Sequence, residues 1–241
     1  MLESVCKSPL IALKEVEFAW HAKANSTIKS ANLCVEEHEH VFIQGASGSG
    51  KSTLLNIIGG LVTPQSGQVE IVGQDFCQLK ELHRDRVRAD HIGFIFQQFN
   101  LIPYLSILEN VMLPCRFSKL RRENAIERSG SITKEAVYLL DRLYSKGRFS
   151  FHRTTSELSV GQQQRVAAAR ALIGQPQLII ADEPTSSLDY DAREAFMGLL
   201  FDEITLSGST LLYVSHDPTH QHLFDRVVDM SVINPHSEHD L

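Results

Sequence analysis

The chain has 241 residues, of which 43% are hydrophobic and 22% charged, with a formal net charge of −6. That composition is ordinary for a globular protein. The length suits one large α/β domain, or a core with a smaller subdomain. An acidic balance argues against a general nucleic-acid binder, which needs a basic face to neutralise phosphates. No apolar run approaches the roughly 20 residues that cross a bilayer. The first residues carry Glu3 and no long apolar core, so they do not read as a secretory signal. A cytoplasmic location is expected, with any membrane role supplied by a partner. Cys6, Cys34, Cys77 and Cys115 form no CxxC pair and are read as reduced structural thiols.

In chain order, residues 10–20 alternate as a strand does, with Val16, Phe18 and Trp20 on one face. Residues 41–44 are a short apolar strand that runs into glycine-rich sequence. Leu54, Leu55, Ile57 and Ile58 then predict a helix ending at Gly59 and Gly60. Residues 68–72 and 92–96 read as strands, the first followed by a turn at Gly73. Between Gln97 and Leu158 the strand pattern gives way to helical patterns at 105–111 and 134–143. The charged run between them, KLRRENAIER at 119–128, reads as a solvated helix face. Strands return at 178–181 and 211–214, separated by a helix carrying Leu188, Ala192, Phe196, Leu199 and Leu200. This order predicts an α/β fold with a mostly parallel sheet and ligands at the carboxyl ends of its strands.

Residues 45–52, GASGSGKS, match the phosphate-loop pattern GxxxxGK[ST] between a strand and a helix. Glycines let backbone N–H groups approach phosphate oxygens, and the helix N-terminus adds partial positive charge. Gly45, Ala46, Ser47, Gly48, Ser49, Gly50, Lys51, Ser52 and the following Thr53 are therefore the expected nucleotide contacts. Lys51 supplies a full charge to the β- and γ-phosphates, and the Ser52 hydroxyl can ligate Mg²⁺. A chance glycine-rich turn is the rival reading, and the strand–helix context tells against it.

An apolar strand ends in Asp182 and Glu183. Two acids at the end of a buried strand are costly unless a cation or a reaction uses them. Asp182 is placed to hold Mg²⁺, and Glu183 to polarise an attacking water. A second apolar strand runs into His216. A lone histidine is more often structural, but this one shares the sheet edge with the phosphate loop, which favours a γ-phosphate contact.

The run LSVGQ at 158–162, followed by QQRVAAARAL, is similar to the ABC signature and its helix. With the phosphate loop before it and DEPT at 182–185 after it, the chain resembles the ABC transporter ATPases over about residues 10–234. The resemblance implies a phosphate-loop core, an N-terminal antiparallel β subdomain and an inserted helical subdomain. It places the core and β subdomain at 1–96 and 161–241, and the helical signature subdomain at 97–160. It also implies ATP and Mg²⁺ as cofactors and ATP hydrolysis as the activity. Trp20 would stack on adenine. Gln97 would touch Mg²⁺ and the attacking water. Ser159, Gly161 and Gln162 would meet the ATP held by a partner copy, and Asp189 would cross that interface. The partners implied are a second nucleotide-binding subunit, identical or not, and an integral permease at the inner membrane. Val160 departs from the usual signature glycine, and His38 stands where the family often has a glycine turn.

The text from Phe96 to Pro114 looks like the lipoprotein-release and macrolide-export group, although importer ATPases share much of it. Two rivals are a soluble ABC protein of repair or translation and a non-hydrolysing subunit with ATP as glue. Missing second cassettes or coiled coils disfavour the first, and intact Lys51, Glu183 and His216 the second. The spacing of His216, His220, His222, His236 and His239 matches no closed metal site; His216 aside, these are read as surface polarity, with metal sensing or metal-linked transport as the rival reading.

Overall fold

The computed structural model describes residues 9–21, 26–144 and 153–235. The chain forms two compact units, residues 1–88 with 210–241, and residues 89–209. It begins in the first unit with β1 (Pro9–Phe18), β2 (Ile28–Glu36), β3 (His40–Gln44), α1 (Lys51–Ile58), β4 (Ser66–Ile71), β5 (Gln74–Asp75) and α2 (Glu81–His91), whose last residues enter the second unit. The second unit holds β6 (Ile92–Ile95), α3 (Ile107–Met112), α4 (Pro114–Phe117), α5 (Lys119–Ser129), α6 (Ile132–Tyr144), α7 (Val160–Leu172), β7 (Leu178–Asp182) and α8 (Tyr190–Ser207). The chain then returns to the first unit as β8 (Thr210–Ser215), β9 (Arg226–Asp229) and α9 (Met230–Ile233). Among the described residues no helix is long and apolar enough to cross a membrane.

The first unit contains two kinds of sheet. β2, β1, β4 and β5 pair antiparallel in that order, while β3 pairs parallel with β8 on one side and β9 on the other. Parallel strands buried on both faces read as continuous apolar runs, and β8 is buried at every position. Phe42 stacks on Tyr213 in this layer, with ring centroids 5.5 Å apart. β2 has no clean alternation in the sequence because Ser30 sits at φ 54° and the pairing with β1 shifts register. Its buried residues Ile28, Ala31, Leu33 and Val35 therefore break the period of two. His38 does occupy a left-handed turn, at φ 63°, as expected where the family favours glycine. Cys34 is disulfide-bonded, which overturns the reading of all the cysteines as reduced; Cys77 and Cys115 are free.

In the second unit β6 and β7 pair parallel, and α7 packs closely on β6. A side chain at Gly93 would bring its Cβ to 2.3 Å from the Ala171 carbonyl. The charged run 119–128 is α5, and only part of it faces solvent. Arg121 is 2% exposed and donates to the backbone carbonyls of Ile92, Arg170, Ala171 and Ile173. Burial pushes its pKa down to about 10, which still leaves it charged at neutral pH. Arg128 reaches both Glu135 and Glu203 at 3.1 Å, and Arg142 adds a 2.7 Å bond to Glu203. A solvated face was the wrong expectation for Arg121 and Arg128, because arginine stems pack apolar surface while their planar heads fork between acceptors.

Glu135 and Glu203 are 0% and 1% exposed, so their carboxylates depend on these arginines. Breaking a buried ion network by removing one partner costs about 3–5 kcal/mol. Glu203→Ala is expected to lose that much stability in urea titration, as a lower midpoint with an unchanged slope.

Candidate active site

The expected site residues are distributed over the two units. In the first, β3 delivers the chain into the loop 45–50. Gly45 is hemmed in: a Cβ there would lie 2.8 Å from both Met230 Cβ and Ser49 Oγ. Gly50, at φ 95°, is the N-cap of α1 and provides no capping side chain. The first amides of α1 are thus left to an anion. Lys51 is buried, and its Nζ donates to the carbonyls of Gly45 and Ala46 at 2.7 Å each. Ser49 Oγ is buried and has no hydrogen-bond partner. A buried unpaired hydroxyl costs about 1–3 kcal/mol, so Ser49 Oγ has an unmet need for a partner at the loop. Ser52, one residue into α1, is exposed.

Trp20 lies just past the end of β1 and is 53% exposed. Its indole Nε1 donates to Thr53 Oγ1 at 3.3 Å, and Phe18 meets it edge-on with centroids 5.1 Å apart. The ring is pinned by its polar edge and offers an apolar face. Thr53 therefore steadies Trp20 through its side chain. His216 follows β8 directly and is exposed. His220 is buried, at 3% exposure, so surface polarity was the wrong reading for it. Among the described residues no three His, Cys, Asp or Glu side chains gather as a metal site; His236 and His239 lie outside those residues.

In the second unit β7 ends at Asp182, and Glu183 follows in a left-handed conformation, φ 44°. Gln97 lies two residues beyond β6, and its Nε2 donates to Glu183 Oε2 at 3.4 Å. Two residues expected to act together are thus joined. The chain after Gln97 is held by side chains that the sequence reading did not single out. Arg170 donates to the carbonyls of Phe99 and Asn100, at 2.6 Å each. Asn110 is wholly buried; it accepts from the Ile102 amide and donates to the Ile102, Leu105 and Ser106 carbonyls. The available signal was a lone arginine in the alanine run AAARAL and an asparagine inside an apolar helix.

Ser159 is the N-cap of α7 and forms a capping box with Gln162, whose Oε1 accepts from the Ser159 amide at 3.0 Å. Gln162 is thereby committed to its own helix end, and Tyr144 Oη holds the Gln162 carbonyl at 2.9 Å. Val160 is exposed on the first turn. Gly161 lies beside Leu188, which a Cβ would approach to 3.4 Å. Leu188 stands in the turn before α8 rather than in the helix, and Asp189 caps α8 by accepting from the Ala192 amide at 2.8 Å.

The family model for ABC transporters matches residues 28–186. The chain belongs to the ABC transporter family. As an ABC protein it binds and hydrolyses ATP. It is 43% identical over 201 residues to the uncharacterized ABC transporter ATP-binding protein MJ0796 of Methanocaldococcus jannaschii, covering 83% of each chain. It is also 43% identical over 195 residues to the macrolide export ATP-binding/permease protein MacB of Escherichia coli, covering 81% of this chain and 29% of that protein. A dimeric post-hydrolysis structure of MJ0796 with ADP and phosphate has a TM-score of 0.78 at 38% identity, covering 91% of this chain and 93% of that one.

An N-cap serine replaced by alanine costs about 1 kcal/mol. Ser159→Ala is expected to lower stability by that amount in urea titration, because the α7 amide at Gln162 loses its acceptor.

Proposed function

We propose that this chain is the ATP-hydrolysing subunit of a transporter, that it dimerises around two ATP molecules, and that closure drives an integral permease of the lipoprotein-release or macrolide-export type. The observation that carries the reading is an undamaged turnover set in a chain that corresponds to 29% of a protein named for joining ATP binding to a permease. MJ0796, similar over nearly its whole length, is itself dimeric in the solved structure. The chain would sit at the cytoplasmic face of the membrane, held there by the permease, with residues 97–160 as its helical signature subdomain.

In this mechanism the amides of residues 45–50 and the Lys51 ammonium bind the phosphates, and Ser49 Oγ gains the acceptor it lacks. Trp20 stacks on adenine. Ser52, Asp182 and Gln97 offer the oxygen donors that a hard cation takes, so the residues fit Mg²⁺, which supplies charge neutralisation on the β- and γ-phosphates when bound. Glu183 accepts the proton of the attacking water, and the Gln97 amide holds its carboxylate in place. His216 contacts the γ-phosphate. Ser159 and Gly161, at the N-terminus of α7, receive the ATP held by the partner copy, while Gln162 and Asp189 shape that edge. A hydroxyl both donates and accepts, so Ser159 can cap its own helix and donate to a phosphate at once. Closure that needs the γ-phosphate is undone by hydrolysis, which makes a ligand-driven two-state switch.

Glu183→Gln tests the chemistry. It is expected to bind Mg-ATP and form a stable dimer while turnover falls about 10²–10⁴-fold, the range for loss of a general base. Wild-type turnover would remove Glu183 from that role. Affinity purification of the chain from detergent-solubilised membranes tests the transporter reading. Recovery of an integral permease supports it, and recovery of soluble proteins alone overturns it.

A further inference from the structure

Gln97 is exposed at the start of an irregular stretch, yet its contact with Glu183 requires a defined backbone path. That path is costly. Phe99 and Asn100 both adopt left-handed conformations, φ 59° and 48°. Non-glycine residues in that region cost on the order of 1–3 kcal/mol each and persist only when their surroundings over-determine them. The turn's own bonds are few: the Phe99 amide donates to Phe96, and the Asn100 amide to Gln98. Phe99 is buried, which anchors the turn by one ring.

The remaining restraint comes from α7. Arg170 lies in its last turn, where a cation is favoured by the helix dipole. Dipole compensation alone would leave the guanidinium in solvent. Instead both of its hydrogen bonds, at 2.6 Å, go to the carbonyls of the two strained residues. No carboxylate among the described residues pairs with it, and burial pushes its pKa down to about 10. The planar fork is the feature that fits two adjacent carbonyls; a lysine ammonium has no such geometry. α7 also starts at Ser159, so one helix carries both the signature cap and this clamp.

We propose that Arg170 is a positioning residue for hydrolysis: its guanidinium fixes the turn after Gln97 and thereby sets the Gln97–Glu183 contact from the far end of the signature helix. The inference rests on the ATPase reading for its kinetic consequence and on geometry alone for its structural one.

Two measurements on the full chain separate these. Hydrogen exchange follows the Phe99 and Asn100 amides in Arg170→Met and Arg170→Lys. Steady-state turnover is measured on the same proteins, with ATP binding followed by the fluorescence of Trp20, the single tryptophan. In Arg170→Met both amides are expected to exchange about 10-fold faster. Its kcat is expected to fall about 10-fold with KM within about two-fold, as for a group that acts in the transition state. Arg170→Lys is expected to fall between. In a Gln97→Ala background Arg170→Met should add little to the loss. Unchanged exchange and kcat overturn the proposal, and so does an equal fall in kcat with Gln97 already removed. If Arg170→Met does not fold, wild-type exchange and kcat in Arg170→Lys overturn it. A wild-type chain with neither turnover nor a Trp20 response would sink the ATPase reading instead, while the exchange rates still judge the clamp.

Discussion

A helix ends with carbonyl groups that its own backbone cannot satisfy. In α7 those groups lie among buried residues: Ala171 is 2% exposed and Ile173 is 0%. Arg121 answers this constraint from α5, reaching three carbonyls at the end of α7 and one at the start of β6. One guanidinium thus ties a helix from the charged segment, the signature helix and the strand that leads to Gln97. Net worth per hydrogen bond is modest, but an orphaned buried carbonyl is expensive.

The same economy recurs through the second unit. Arg170 secures the turn beyond Gln97, Asn110 secures residues 102–106, and Arg128 with Arg142 secures the carboxylates of Glu135 and Glu203. Arg170 and Asn110 satisfy backbone groups that regular secondary structure would satisfy if the chain there were regular, while Arg128 and Arg142 pair carboxylates buried on the helices α6 and α8. The loop 45–50 works the opposite way. Its Ser49 hydroxyl is left without a partner and its helix cap is a bare glycine, so its polar groups are not met from within the chain, as the proposed phosphate binding requires.

The sheet and the phosphate loop were legible in the sequence because their signals are local. Continuous apolar runs mark β3, β7 and β8, and GASGSGKS stands between a strand and a helix. Glu183 was named from the acids at a strand end and Gln97 from the family resemblance, and they meet in space. What stayed hidden depends on tertiary context. β2 lost its period to a left-handed Ser30, and β9 is only four residues long. α5 read as a solvated face because charge count does not reveal which arginines turn inward. Arg170 was not singled out, since nothing in the sequence says that two strained carbonyls wait opposite it. The disulfide at Cys34 was invisible for the same reason, as spacing along the chain says little about distance across it.

Gly93 carries a consequence for how this chain can drift over time. With the Ala171 carbonyl where a Cβ would sit, Gly93 cannot admit even alanine without moving α7, and Gly174, closed by the backbone of Arg121 at 2.4 Å, cannot do so without displacing α5. Single substitutions there are barred, and so are most compensating pairs, because the obstacle is backbone and not a side chain that could be trimmed. Lineages descending from this sequence must carry these two glycines unchanged for as long as α5 and α7 keep their seats.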